Sequence, residues 1–445
     1  MPKRVYHGNL QVRYKVDEFD VIIVGAGPAG ATAAYMLAKA GLSVVVIERG
    51  QEPGSKNVSG GLIYAQIYDE IFPNFWDEAP VERAIAGHSV VFLGDTAATA
   101  MDYRDEAVAP PYNAFSVLRA KFDPWLAAQA EEAGAMVMPG FTVDELIVEN
   151  GRICGVKAGG DELRASVTII AEGTRSQLLK QAGLREDYAP KDVSIGIKEV
   201  IKLPEQTITD RFQCLNEKEG AAYTLVGHTA GAEGGGFIYA NRDTLSLGVV
   251  VKIDSVYKSK KQPHEILDEF KSHPFVQRLI NGGEVVEYSA QTVHRGGFHL
   301  IPNLVGDGYV VAGSAARLLL NNVMTLRGMD VAVASAVAAA KAIIDAKANE
   351  DFSAAGLASY EQHFKETSVY KDMETFKDVY PLLENKRLFN TYPEMVCALM
   401  EDMFSVQTQP GKKGYRALRD RMKENDVSLW DVAKDMYQIG KGVAI

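Results

Sequence analysis

The sequence predicts an α/β protein: a Rossmann-like dinucleotide-binding domain with an inserted, mostly antiparallel β-sheet domain and a helical C-terminal region. Three observations predict it. Residues 20–50, DVIIVGAGPAGATAAYMLAKAGLSVVVIERG, read as strand, glycine turn, helix and strand. Between residue 193 and about residue 300, helical periodicity gives way to short apolar strands. A strand, turn and helix then return over 309–344, and the chain from Phe352 is helical and polar-aromatic without further glycine motifs.

Taken in order, the N-terminal arm alternates Leu10, Val12, Tyr14 and Val16 with polar residues. That pattern suits an edge strand, with a docking strap as the alternative. Residues 21–24 are a continuous apolar run, as a parallel strand buried on both faces requires. Gly25, Gly27 and Gly30 follow as G-x-G-x-x-G. The first permits the tight turn, the second lets backbone amides approach a pyrophosphate, and the third lets the helix lie close to the strand. Residues 31–40 continue as a small-residue helix whose N-terminal dipole faces the phosphates. The strand 43–47 ends in Glu48, placed to accept hydrogen bonds from a ribose. Strand, turn, helix and acid together predict dinucleotide binding.

Residues 54–64, GSKNVSGGLIY, form a polar glycine-rich loop after the second strand. Ser59, Gly60 and Gly61 would admit a flat ring, with Lys56 or Asn57 at its polar edge; a plain surface loop has the same composition. An irregular segment, 67–111, holds one strand candidate at 89–93. Residues 118–137 read as an amphipathic helix leading through Gly134 into a strand, and Arg119 at its start suits either a pyrophosphate or solvent. Segments 143–148 and 153–157 flank a hairpin turn, and 167–171 is an apolar strand before another polar turn and helix. The middle region predicts strands at 194–200, 222–227, 236–240, 245–251 and 285–288, with one helix at 264–273. After the strand 309–312, Arg327-Gly328-Met329-Asp330 leads into an uncharged alanine-rich helix, 331–344, whose first amides suit developing negative charge. The resulting division gives dinucleotide-binding segments 1–90, 113–192 and 301–350, inserted-sheet segments 91–112 and 193–300, and a helical region 351–445.

The length, 445 residues, exceeds one ordinary core. A net charge of -11, from 47 basic against 58 acidic residues, argues against a nucleic-acid partner. Cys154, Cys214 and Cys397 are too scattered for a disulfide framework, a metal site or a chain-encoded iron–sulfur cluster, and the reading is cytosolic. Residues 1–16 lack the apolar segment of a signal peptide. The longest apolar run, 331–340, is about half a bilayer span, so no transmembrane helix is expected. Met395, Val396, Leu399, Met400, Met403 and Phe404 fall on one helix face, the usual sign of core burial. LLENKRLF before them and the basic run 412–423 after them raise the less usual reading, a membrane or partner face.

These motifs together resemble flavoproteins of the glutathione-reductase structural class. More narrowly, the chain is similar to the electron-transfer-flavoprotein:quinone oxidoreductases, and in particular to their FixC-type (EtfC) subunit. The resemblance is carried by GSKNVSGG at 54–61, SIGIKEVI at 194–201, GGGFIYANRDTLSLGVVV at 234–251, RGGFHLIP at 295–302 and LRGMDVAVASAVAAAKAI at 326–343. It implies one FAD, with Gly25, Ala26, Gly27, Pro28, Ala29, Gly30, Glu48 and Arg49 around the AMP half and Arg119 near the diphosphate. Ser59, Gly60 and Gly61 would meet the ring, Gly328 and Met329 its pyrimidine edge, and Val143, Ala171, Gly173, Gly313 and Ser314 the remainder. Ser314 stands where the wider superfamily usually has an aspartate for the ribityl chain.

The resemblance further implies a subunit that takes electrons from the alpha and beta subunits of an electron-transfer flavoprotein and reduces membrane menaquinone or ubiquinone. That would be the quinone-reducing branch of an electron-bifurcating FixABCX (EtfABCX) complex, cytoplasmic and held peripherally at the inner face of the cell membrane. Only Cys397 follows residue 214, so the iron–sulfur cluster is expected from a separate ferredoxin-like subunit. Gly234 and Gly235 would lie beside the quinone. Phe298 and His299 offer an aromatic wall and a titratable group there, a satisfied sheet histidine being the alternative. A FAD-dependent prenyl-lipid (geranylgeranyl) reductase shares the fold and is the alternative function. An NAD(P)H-dependent aromatic monooxygenase is disfavoured by ARLLLNNVMTLRGMD after the last strand and by the lack of a second strand-anchored G-x-G-x-x-G. Isolated Trp76, Trp125 and Trp430 disfavour a halogenase, and a docking subunit with a structural flavin is the non-catalytic alternative.

Overall fold

The computed structural model describes residues 19–56, 60–105, 108–406, 411 and 413–444. The arm carrying Leu10, Val12, Tyr14 and Val16 lies outside the described residues, as do Asn57, Ser59 and Lys412.

The described strands form an eight-stranded sheet, a nine-stranded sheet and a two-stranded hairpin. In the first, Tyr309–Val311, Asp161–Ile170, Phe19–Val24, Val44–Glu48 and Met136–Pro139 run parallel side by side. Val21, Ile22, Ile23, Val45 and Val46 are wholly buried, because a parallel sheet covered on both faces leaves its strands no solvent side. The helices Pro28–Lys39 and Met329–Ala348 lie against one another. Both are alanine-rich, and Ala33, Ala34, Ala336, Ala339 and Ala340 have no exposure, so the two backbones can approach closely. Val143–Glu149 and Arg152–Ala158 form the expected hairpin around Asn150 and Gly151, both at positive φ as a two-residue turn demands.

The nine-stranded sheet is ordered Glu284–His294, Val193–Lys202, Thr244–Lys252, Gly234–Ala240, Glu219–Val226, Val81–Leu93, Ala114–Val117 and Gly61–Tyr64, with Ala98–Arg104 paired off Val81–Leu93. Its extent differs from the sequence expectation. The strand expected at 89–93 begins at Val81, so the boundary at 90/91 falls inside it. Gly61–Tyr64, expected as loop, Ala98–Arg104, expected as irregular chain, and Ala114–Val117, unassigned from the sequence, are strands of the same sheet. Arg83 hides the pattern. It is 1 % exposed within a strand, and its guanidinium is satisfied by the carbonyls of Asn241, Glu219, Glu205 and Arg242 and by the Thr209 hydroxyl. A charge satisfied by carbonyls can be buried, yet in a sequence it reads as solvent-facing.

Besides Pro263–Ser272, the short helices Glu205–Arg211, Ile253–Ser259 and Pro274–Ile280 accompany this sheet, where one helix was expected. Ile208, Ile266, Phe270 and Val276 form a second core with Ile197, Leu225, Leu247 and Val249 of its strands. Beyond Phe352 the chain is helical, as predicted, and among the described residues no helix is long and apolar enough to cross a membrane. The apolar stripe divides along Thr391–Phe404. Met395 is buried, whereas Met403 and Phe404 are 60% and 82% exposed. Gly414–Glu424, the basic helix, is tied back by Arg421 on Asp402 through two 2.8 Å bonds.

Candidate functional site

The three glycines of the turn are glycines for three different reasons. Gly25 has φ 101°, and a Cβ there would stand 2.6 Å from the Ala171 carbonyl. A Cβ on Gly30 would stand 1.8 Å from the Gly25 carbonyl. The fold itself demands both. Gly27, with φ -74° and ψ -177°, has a backbone that any residue adopts, and its Cβ would meet only the Arg119 guanidinium, at 3.6 Å. Glycine there keeps space open before the first amides of Pro28–Lys39, as a diphosphate needs.

The charges around that space are fixed. Arg119 is held by Asp123 through bonds of 3.1 and 2.6 Å, and the Asp123 side chain is fully buried. The Glu48 carboxylate accepts the Ala26 amide at 2.9 Å and the Gly50 amide at 2.6 Å. It is thereby locked at the end of its strand with lone pairs left for a ribose. Gly313 touches Ala29 and Ala332 at the Cβ position, bringing the turn after Tyr309–Val311 onto the glycine helix, with half-buried Ser314 beside it. Ala171 is fixed by its carbonyl over Gly25, and Gly173, at φ 79°, has open space at its Cβ position. Val143 belongs to the cluster of Ile22, Val24, Val45 and Ile47, and Arg49 is exposed.

Gly60 and Gly61 are pinched between two elements. A Cβ on Gly61 would stand 3.0 Å from Met329 Cε, and one on Gly60 would stand 2.1 Å from Ser246 Oγ and 2.9 Å from Lys198 Nζ. Gly328 lies against Leu319. The glycine loop therefore joins the N-terminus of Met329–Ala348 to the nine-stranded sheet. Lys198, which sequence reasoning missed, is 1 % exposed; it donates to the Gly60 carbonyl and lies 5.9 Å from the centre of the Phe237 ring. Its only sequence signal is a lysine inside the apolar strand SIGIKEVI.

Burial pushes the Lys198 amine down to about 7, with Glu287 opposing the shift and Arg119 adding to it. An unfolded lysine titrates near 10.4. Between about 7 and 10.4 the unfolded chain therefore binds a proton that the folded chain does not, so this contribution to stability rises with pH across that window. Lys198→Met removes it. The melting temperature of the native chain minus that of the variant should grow by a few degrees between about pH 7 and 9; thermal scans showing a constant difference would count against a depressed amine.

One sheet face continues from this point. Thr224, Phe237, Gly248 and Lys198 are cross-strand neighbours, and Val226, Gly235, Val250 and Gly196 form the next row on the same face. The Phe237 ring lies over Gly248, 2.7 Å from where a Cβ would be. Beyond it opens a cavity of about 190 Å³, mostly apolar, lined by Gly234, Gly235, Thr224, Val250, Val293 and His294, with Leu62 and Tyr64 reaching in from the strand that starts at Gly61. Gly234 and Gly235 line it. Their lack of side chains is already required by strand packing, since Cβ atoms there would fall 2.1 Å from the Val250 carbonyl and 2.7 Å from the Leu225 carbonyl.

Phe298 and His299 are not part of this wall. Phe298 packs edge-on against Tyr370 at 5.4 Å, and His299 against Tyr380 at 4.9 Å. The physical cause is the bend at Gly296 and Gly297, with φ 76° and 115°, which turns the chain away after the strand ends. The histidines that line the cavity are His294 and His88.

Comparison with known proteins agrees with this geometry. Residues 20–107 match the FAD dependent oxidoreductase family, 193–293 the ETF-QO ubiquinone-binding domain and 380–443 the ETF-QO/FixC family C-terminal domain. The chain is 42% identical over 421 residues to the probable electron transfer flavoprotein-quinone oxidoreductase YdiS of Escherichia coli K12, covering 94% of this chain and 97% of that protein. It is 44% identical over 416 residues to protein FixC of the same strain, covering 93% and 97%. Among solved structures, a geranylgeranyl bacteriochlorophyll reductase-like protein of Thermoplasma acidophilum superposes with TM-score 0.71 at 22% identity, over 95% of this chain and 99% of that one. The flavin-dependent brominase Bmp2 gives 0.63 at 19%, over 92% and 99%. These structural likenesses show the fold, and the sequence relatives fix the family. With a glycine turn shaped for a diphosphate, a carboxylate set for a ribose and Gly61 set against Met329, this chain belongs to the ETF-QO/FixC family of FAD-dependent oxidoreductases.

Proposed function

We propose that the chain takes electrons from an electron-transfer flavoprotein and passes them through its FAD to a quinone held in the apolar cavity. The observation that carries this is a single sheet that joins the two ends. Gly61 meets Met329 at the flavin end, while Leu62 and Tyr64 of the same strand line the cavity, and Lys198 and Thr224 occupy the two ends of one cross-strand row. FAD, when bound, accepts an electron pair and can release it singly or together. The chain's own residues fix the diphosphate and ribose at one end and keep water from an apolar quinone at the other.

The finer reading is membership of an electron-bifurcating FixABCX-type complex. A four-cysteine cluster cannot be built from the chain's three scattered cysteines, which supports a separate ferredoxin-like subunit as the cluster carrier. The exposed Met403 and Phe404, followed by a basic helix in an acidic protein, support peripheral attachment to an anionic membrane surface carrying the menaquinone or ubiquinone.

Rapid mixing tests the core of the proposal. The FAD-loaded chain should be reduced quickly by the reduced partner flavoprotein and slowly by NADH or NADPH, and should then be reoxidised by a short-tailed ubiquinone. Rapid reduction by NADPH with turnover of a prenyl lipid and none of quinone would transfer the chain to the prenyl-lipid reductases.

A further inference from the structure

His88 faces the cavity because its strand is interrupted. Between Val81–Leu93 and Glu219–Val226 the register shifts: Gly220 pairs with Ile85, Ala221 with Gly87 and Ala222 with His88, so Ala86 is an extra residue. A bulge of this kind re-aims the side chains beyond it and is common beside active sites. Here it puts Ile85 and His88 on one face with Gly220 and Ala222, where uninterrupted alternation would have turned His88 to the other side. That face is the cavity's, since Ala222, Thr224, Phe237 and Tyr239 line it together with His88. His294 is oriented differently: Ser194 and Val293 share the cavity face, so the His294 ring and Val193 turn to the opposite one. The His88 end of the cavity is the end nearer the glycine loop, because Leu62 and Tyr64, which follow Gly61, pack with Tyr239 and Ala222 in one cluster. The imidazole is half-buried, and no charged group or hydrogen bond among the described residues acts on it; burial alone pushes it below its usual value. The titratable groups on the neighbouring strands are phenols. Burial holds two of them protonated, pushing Tyr64 up to about 12 and Tyr239 further. The third, Tyr103 on the edge strand Ala98–Arg104, pairs with His88 and is 63% exposed, so bulk water reaches the strand beside the imidazole.

We propose that His88 is the acid of quinone reduction, its imidazolium giving a proton to one carbonyl oxygen of the quinone as that oxygen gains electrons from the reduced flavin. This rests on the quinone reading of the cavity. Forming the quinol consumes two electrons and two protons. The flavin supplies both electrons. One N–H bond of His88 breaks as one O–H bond forms, the second oxygen takes its proton from water, and water then reprotonates the imidazole. Negative charge developing on the quinone oxygen favours the protonated form of an imidazole beside it. Histidine is also the group of this end that changes charge near neutral pH, as an acid turning over there must.

The test uses the FAD-loaded chain, reduced by the partner flavoprotein and mixed with a short-tailed ubiquinone at several pH values, with the quinone Kd measured separately by calorimetry. Native reoxidation should be fastest below the imidazole's own value, which burial sets under the usual figure of about 6.5, and should slow as pH rises through it. His88→Gln keeps a donor amide but cannot titrate. It should lose that pH dependence and run roughly a hundredfold slower at about pH 6, with flavin content, flavin reduction and quinone Kd unchanged. His88→Ala should regain rate when free imidazole is added. A His88→Gln protein whose pH profile stays native, whether or not its Kd rises, refutes the acid role. If that result comes with a Thr224→Trp plug that abolishes quinone binding, the cavity holds quinone and only this inference fails. If Thr224→Trp leaves the Kd unchanged, the quinone reading of the cavity fails and this inference with it. Loss of flavin from His88→Gln would assign the imidazole to FAD and overturn the proposal equally.

Discussion

Gly27→Val should purify folded and without flavin. The backbone at this position, φ -74° and ψ -177°, is ordinary extended chain, so valine adopts it without strain. The nearest atom to the new Cβ is a guanidinium nitrogen of Arg119 at 3.6 Å, an ordinary contact. What the isopropyl group takes is the space before the first amides of the helix. We expect FAD binding to weaken by roughly a hundredfold or more, about 2.8 kcal/mol, with a melting temperature close to that of the apo form of the native chain. Gly25→Val and Gly30→Val differ in kind. Their Cβ atoms meet backbone carbonyls at 2.6 and 1.8 Å, so they should lose the fold along with the flavin. Visible absorbance per chain and far-ultraviolet circular dichroism separate the two cases. A yellow Gly27→Val protein at full occupancy would remove this turn from the site.

The dinucleotide half was legible because its signals are local. A glycine turn, an alanine helix and a carboxylate lie within about thirty residues, and each has a steric or electrostatic reason that survives without knowledge of the rest of the chain. The nine-stranded sheet was only partly legible. Its central strands are apolar and continuous, but Val81–Leu93 carries Glu82, which accepts from the Lys121 amine and the Arg242 amide, and Arg83, which donates to carbonyls more than a hundred residues away, among them those of Asn241 and Arg242. Lys198 was invisible for the same reason, since a lysine in a strand reads as facing water. His299, expected beside the quinone, does not line the cavity. Which side of a sheet a residue faces depends on register, and the strand pairing of His294 with Val193 ends just before the bend at Gly296 and Gly297. His299, beyond that bend, faces Tyr380 instead. No pattern in RGGFHLIP reveals where the strand stops.

Plugging the cavity should separate the two half-reactions, and the residue that does so cleanly is Thr224. It is half-buried, lies beside Phe237 across the strands and makes only a long 3.4 Å bond to the Met324 carbonyl. A tryptophan there projects an indole into about 190 Å³ of mostly apolar space without displacing a neighbouring strand. We expect Thr224→Trp to keep its FAD, to accept electrons from the partner flavoprotein at the native rate, and to reduce a short-tailed ubiquinone roughly a hundredfold more slowly, about 2.8 kcal/mol of lost binding. Gly235→Leu, which resemblance alone would recommend, is the poorer test. Its Cβ would fall 2.7 Å from the Leu225 carbonyl, so the strands must part and both half-reactions suffer together. Rapid mixing of reduced partner flavoprotein with Thr224→Trp, followed by quinone, decides the matter: native reoxidation by quinone would show that electrons leave the flavin by another route.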